Sequence, residues 1–70
     1  MIETFIPRSS NLAEVTYDSE KQVMTVSFQG GATWEYQGVP LQAWMGIQNA
    51  PSAGSYFYKN VRSVYPGTQV

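Results

Sequence analysis

Histidine and cysteine, the side chains that most often carry acid–base, metal and nucleophilic chemistry, are both absent from this chain. A zinc site, a disulfide, and a serine or cysteine nucleophile activated by histidine are therefore excluded by inventory. What remains for catalysis is a pair of carboxylates. In the strand register expected below, Glu14 and Glu35 project from the outer face of a sheet on either side of Ser27, and two close carboxylates can share a proton and do acid–base work. Their neighbours Thr16, Thr25, Thr33 and Gln37 describe an ordinary solvated sheet face. That is the preferred reading, so no catalytic residue, cofactor or metal is expected and the chain is read as a non-enzyme.

Binding chemistry is better represented. Pro51-Ser52-Ala53-Gly54-Ser55 leads into a helix, and the free N–H groups and dipole of a helix start can hold a phosphate or carboxylate. Lys59 and Arg62 lie in the same helix and add charge. The competing reading is an ordinary serine cap followed by a glycine that permits close packing. Aromatic residues are the second resource: Tyr17, Trp34, Tyr36, Trp44, Tyr56, Phe57, Tyr58 and Tyr65 exceed what so small a core encloses. Trp34 and Phe57 are expected in the core. Tyr56 and Tyr58 fall off the buried stripe and, with Phe5, are candidates for an interface, where aromatics with a polar handle are favoured.

These residues need elements to position them. Leu12 to Tyr17 alternates, with Ala13, Val15 and Tyr17 on the apolar side, and Val23 to Phe28 alternates again through Met24, Val26 and Phe28. A third run carries Trp34 and Tyr36. Period-two alternation marks half-buried strands, and the polar turn Asp18-Ser19-Glu20-Lys21 and the glycines Gly30-Gly31 join them into an antiparallel meander. Matching apolar faces across the pairs sets Tyr17 opposite Met24 and Val15 opposite Val26. It then predicts a three-residue loop Gly30-Gly31-Ala32, with Phe28 opposite Trp34 and Val26 opposite Tyr36. Pro40 suits a helix start, and Leu41, Trp44, Met45 and Ile47 follow at helical spacing until Asn49-Ala50-Pro51. Ser52 then caps a second helix with Phe57, Val61 and Val64 or Tyr65 as its stripe, ended by Pro66-Gly67 and a short tail. The expected fold is α+β: a three-stranded antiparallel meander with two short helices on one face. Ile2, Phe5 and Ile6 are left to form an extra N-terminal edge strand or an arm to a neighbour.

Composition narrows the partners. Seventy residues make a single domain, 1–70, with little interior to stabilise it. With disulfides and metals excluded, self-association into a homo-oligomer is the remaining support. Four Lys and Arg against five Asp and Glu give a net charge of −1, too few cations to meet a long polyanion through a basic patch. No stretch is long enough to span a membrane, and Met1 to Pro7 lacks the pattern of a signal peptide, so a cytoplasmic location and no membrane partner are expected.

Taken in order, Ser9-Ser10-Asn11-Leu12, Tyr17-Asp18, Met24 through Phe28, Trp34-Glu35-Tyr36, Gly38-Val39-Pro40, Ser52-Ala53-Gly54-Ser55-Tyr56-Phe57 and Val61-Arg62 before Tyr65 resemble the KTSC domain family over about residues 8–65. The family is named for a module at the C-terminus of some lysyl-tRNA synthetases and also occurs as short stand-alone bacterial and phage proteins. The chain departs from the family pattern at Trp34, where tyrosine is usual, and at Met24, where leucine is usual. The resemblance implies a non-catalytic accessory domain associated with nucleotides or nucleic acid. It also carries over the polar residues Ser9, Ser10, Tyr17, Tyr36, Ser52, Gly54, Arg62 and Tyr65. Two roles compete for them: a structural cluster in which Ser9 and Ser10 bind the loop before the second helix, or a small pocket with Ser52, Gly54 and Arg62 that accepts an anion.

The expected ligand set is Ser9, Ser10, Tyr36, Ser52, Gly54, Lys59 and Arg62. The leading functional expectation is an oligomeric module that binds a nucleotide or other small anion, in a phage setting sequestering host signalling nucleotides. RNA or single-stranded nucleic-acid binding is the first alternative. A protein-interaction domain is the second.

Overall fold

The computed structural model describes all residues 1–70. The α+β architecture and the antiparallel meander are present, but the sheet has five strands, not three. They are β1 (Ile2–Phe5), β2 (Leu12–Asp18), β3 (Val23–Phe28), β4 (Thr33–Tyr36) and β5 (Gly67–Gln69), each paired antiparallel with the next in the order β1-β2-β3-β4-β5. The N-terminal segment takes the edge-strand option, with Phe5 opposite Val15. The fifth strand comes from the expected tail. Gly67-Thr68-Gln69 has no apolar alternation to announce a strand, and all three residues are exposed. They are held by pairing with β4, which sets Tyr36 opposite Gly67 and Trp34 opposite Gln69.

Register follows face matching at the first hairpin, where Tyr17 lies opposite Met24 and Val15 opposite Val26. The turn between them is closed by the Asp18 carboxylate, which accepts from the amides of Glu20 at 3.0 Å and Lys21 at 3.2 Å. The second hairpin differs from expectation by two residues: Val26 pairs with Trp34 and Met24 with Tyr36. The loop has three residues as expected, but they are Gln29-Gly30-Gly31. The Gly31 amide donates to the Phe28 carbonyl at 2.9 Å and the Phe28 amide to the Ala32 carbonyl at 2.8 Å. Gly31 sits at φ 102. A type I turn followed by a left-handed glycine is the usual three-residue hairpin loop, and it needs its glycine last, which pulls the loop one residue earlier.

A second irregularity lies in β2. The register shifts between Leu12 and Glu14, and this bulge turns Leu12 inward in place of Ala13. Leu12 is fully buried and Ala13 only half-buried.

Two helices cover one face of the sheet. α1 (Leu41–Asn49) buries Ala43, Trp44 and Ile47, while Leu41 and Met45, expected on its apolar stripe, lie one turn apart on its exposed side. Its Trp44 stacks on Tyr17 with ring centroids 5.4 Å apart and meets Phe5 edge-on. The Tyr17 hydroxyl, within this layer, donates to the Val39 carbonyl at 2.7 Å. α2 (Ala53–Phe57) runs on without a break into a wider π-helical turn, Tyr58–Arg62. Phe57 is fully buried and meets Phe28 and Tyr36 edge-on at 5.6 and 5.3 Å. α1 therefore roofs the β1–β2 side and α2 the β3–β4 side. The inner face next to β5 is left partly uncovered.

Candidate functional site

The uncovered strip becomes a cleft of about 490 Å³ lined by Phe28, Trp34, Tyr36, Arg62, Ser63 and Gly67, a size suited to a small ligand. Each wall has a local cause. Phe28, Trp34 and Tyr36 share the inner face because alternate strand residues point the same way. Gly67 lies opposite Tyr36, and a Cβ there would overlap the Tyr36 ring. The glycine lets the β5 backbone lie directly on the phenol. Arg62 and Ser63 arrive from the end of the π-helical turn, a distortion found often at functional sites. The Ser63 hydroxyl donates to the Tyr58 carbonyl at 2.6 Å, and the Arg62 guanidinium lies over the Tyr58 ring, 5.5 Å from its centroid.

Two groups in this cleft are unsatisfied within the chain. The one ion pair in the molecule joins the Met1 ammonium to Glu20 at 3.3 Å, so Arg62 has no carboxylate partner. Tyr36 is 4% exposed and its hydroxyl has no hydrogen-bond partner within the chain. Because no polar side-chain atom is sealed from solvent unpaired, that hydroxyl reaches solvent, and Tyr36 is one of the residues lining the cleft. Burial pushes the Tyr36 phenol above its ordinary pKa of 10, and the Arg62 charge pulls the other way. It remains a neutral O–H donor at any physiological pH.

The expected ligand residues do not converge. Ser9 lies near Gly54: a Cβ on that glycine would sit 3.4 Å from the Ser9 hydroxyl. The Ser9 hydroxyl is occupied, however, accepting from the amides of Asn11 and Leu12, each at 3.1 Å. Ser52 is likewise used as a helix cap, accepting from the Ser55 amide at 3.2 Å. Ser10 is exposed. Ser52 and Lys59 border a second cleft of about 330 Å³ with Ser55, Tyr56 and Asn60. Arg62 and Tyr36 belong to the first cleft, near the far end of a helical run that advances about 1.5 Å per residue. Of the interface candidates, Phe5 packs on Trp44 and Tyr56 fills the space over Gly46, where a Cβ would overlap its ring. Tyr58 stays exposed.

Trp34, expected in the core, is half-buried and forms a wall of the cleft. Ser63 and Gly67 were not anticipated as site residues. Only recognition of β5 would have exposed their role.

The carboxylate pair is not formed. With the observed register Glu35 lies opposite Thr25, whereas Glu14 lies opposite Ser27, whose other neighbour is Thr33. The two acids stand two strands apart, roughly 10 Å in the pairing direction alone. No group of three or more acidic side chains is placed to hold a metal ion. No helix is long and apolar enough to cross a membrane.

The fold and its cleft define a small α+β module, a five-stranded antiparallel meander roofed by two helices. The KTSC domain family matches residues 8–65, and the chain belongs to that family. It is 36% identical over 64 residues to a lysine–tRNA ligase of Trichormus variabilis and 33% identical to one of Nostoc sp., in each case over 91% of this chain and 11% of the ligase. The chain thus spans about a tenth of the length of these relatives. A Stutzerimonas stutzeri protein is 36% identical over 71% of this chain and 70% of its own length. The crystal structure of a KTSC domain protein from Yersinia pestis superposes with a TM-score of 0.89 at 22% identity, covering 100% of this chain and 99% of that one.

Proposed function

We propose that this KTSC domain is a non-catalytic binding module that takes a small anionic ligand, a nucleotide by preference, in the cleft between Arg62 and Trp34. The observation that carries this reading is that the Tyr36 hydroxyl, which reaches solvent and has no partner in the chain, belongs to a residue lining the same cleft as the unpaired Arg62 guanidinium. A ligand oxygen can meet both groups. Arginine suits phosphate and carboxylate, and the Trp34 and Phe28 faces suit a base. The lack of His and Cys and the separation of Glu14 from Glu35 support binding over catalysis. In a phage setting such a module would withdraw a host's signalling nucleotides. The exposed side chains of Ile2, Ile6, Leu41 and Met45 offer apolar surface for self-association.

The test is a thermal-shift panel of mononucleotides and inorganic phosphate on the wild type and Arg62→Ala. A ligand at about a hundred times its Kd adds about 2.7 kcal/mol, a shift of several degrees in the wild type that Arg62→Ala should lack. A panel that leaves the wild type unmoved removes the reading.

RNA binding is the second reading, favoured by the ligase relatives. The exposed sheet face argues against it: the row Thr4-Thr16-Thr25-Glu35-Thr68 runs across all five strands without an aromatic residue on which a base could stack. Affinity for an oligoribonucleotide that falls steeply with salt would favour this second reading.

A further inference from the structure

The meander leaves both of its borders open. Ladder bonds alternate along an antiparallel strand, one residue turning its backbone groups to one neighbour and the next residue to the other. The Ser19 amide donates to the Met1 carbonyl at 3.2 Å, which fixes Met1, Glu3 and Phe5 as the residues bonded to β2. The N–H and C=O groups of Ile2 and Thr4, and of Ile6 as the alternation continues, therefore point away from the sheet. At the other border the Val70 amide donates to the Thr33 carbonyl at 2.9 Å, so β5 turns outward only Gly67 and Gln69.

The side chains beside these free groups differ. Gly67 and Gln69 bring no apolar surface. Ile2 and Ile6 are 66% and 73% exposed, and they share one sheet face with Thr4 between them. Open edges are normally guarded by lysine, proline or a bulge. From Ile2 to Ile6 there is no lysine and no proline, and the pairing of β1 with β2 runs without a shift.

We propose that β1 is where two copies of this chain join, strand antiparallel to strand about a two-fold axis, so that their sheets become one continuous sheet. Free groups must meet free groups, which leaves few registers. With Glu3 on the axis, two carboxylates would stand directly opposite each other, an unfavourable pairing. With Ile2 on the axis, Ile6 is left unpaired, and with Phe5 there the ladder must run through Pro7 to reach Ile2. With Thr4 on the axis every free group finds a partner: Thr4 meets its own counterpart, Ile2 meets Ile6 of the second copy, and Glu3 faces Phe5. Like charges are kept apart and the exposed isoleucines cover one another. A contact of one strand is small for a permanent interface, so the dimer should dissociate on dilution. The inference is independent of the ligand reading, because the cleft lies beside β5 and both clefts stay open at the outer ends of the joined sheet.

The experiment is sedimentation velocity over a dilution series of the wild type and Thr4→Pro. Because the Thr4 N–H faces outward, proline is tolerated there on an edge strand, and circular dichroism should match the wild type. Expected is a wild-type mass that rises from one chain toward two with concentration, while Thr4→Pro stays at one chain and keeps the wild-type response to the ligand panel. The register is read by oxidising single-cysteine variants of this cysteine-free chain. Thr4→Cys puts two Cα atoms about 5.5 Å apart across a hydrogen-bonded pair, within reach of a disulfide, and should cross-link. Glu3→Cys leaves its two copies on a diagonal about 8 Å apart and should not. A wild type of one chain at every concentration, growth beyond two chains, or a Thr4→Pro that dimerises like the wild type overturns the proposal. Faster cross-linking by Glu3→Cys, or by Gln69→Cys at the other border, overturns the register or the choice of border.

Discussion

The two ends of the second helical run make opposite uses of polar side chains. At its start, the hydroxyls of Ser9 and Ser52 are engaged by backbone amides of their own chain. At its end, Arg62 and Tyr36 line one cleft, and neither has a hydrogen-bonding or ionic partner in the chain. Both ends attract attention in the sequence, because both combine small polar residues with a nearby cation. The difference lies in which groups remain available once the chain has folded. Satisfied groups hold the architecture, and available ones are those a ligand would meet.

Substitutions can break this comparison. The largest effect is expected at Phe57→Ala, which removes the ring serving the sheet beneath the cleft: truncating a buried Phe costs about 3–5 kcal/mol, and chemical denaturation should show the cleft and the fold lost together. Ser9→Ala leaves two amides without their acceptor and should destabilise by about 2 kcal/mol. Ser52→Ala loses a cap worth about 1 kcal/mol, read as a lower melting temperature with ligand response retained. Arg62→Ala should fall within about 0.5 kcal/mol of the wild type in stability while losing ligand response. The reverse pattern, a large loss of stability at Arg62 and lost binding at Ser52, would exchange the roles of the two ends.

Two phenols sharpen the same contrast. Tyr17 and Tyr36 both have pKa values raised above 10, mainly by burial, with Asp18 adding to the effect at Tyr17. A raised folded value means that the unfolded chain loses its protons first. The stability linked to these groups is complete below about pH 10 and is lost as pH rises through the folded values. Ultraviolet titration should show part of the tyrosine signal ionising late, with unfolding. Tyr17→Phe should lower stability at neutral pH, because it deletes the bond to Val39. Tyr36→Phe, which deletes no internal bond, should leave it nearly unchanged.

Much of this was legible in the residues, to a definable depth. Strand faces followed from alternation because side-chain direction has period two. Pairing at the first hairpin followed because placing Tyr17 opposite Met24 and Val15 opposite Val26 matched the apolar faces with a short turn at Asp18-Ser19-Glu20-Lys21. The second register was missed because shifting by two residues keeps every side chain on its face, so hydrophobicity cannot choose between the alternatives. Only the requirement for Gly31 at positive φ could decide. The bulge before Glu14 and the strand at Gly67–Gln69 left no apolar signal. Of the candidate site, Tyr36 and Arg62 were identifiable by type. Their separation from Ser9 and Ser52 is a matter of distance along a helix, and the role of Trp34 as a wall depends on an edge strand that the sequence pattern did not announce.

The placement of the first and last strands has a consequence for the domain as a building block. Because β1 and β5 are the two outer strands of one five-stranded sheet, polypeptide enters along one border and leaves along the other, roughly 19 Å away at about 4.8 Å per strand. In a larger protein the module would act as a spacer inserted in series, its neighbours held on opposite flanks. The last strand thus has two uses: its backbone closes the border of the sheet, and Gly67 at its start is one wall of the cleft.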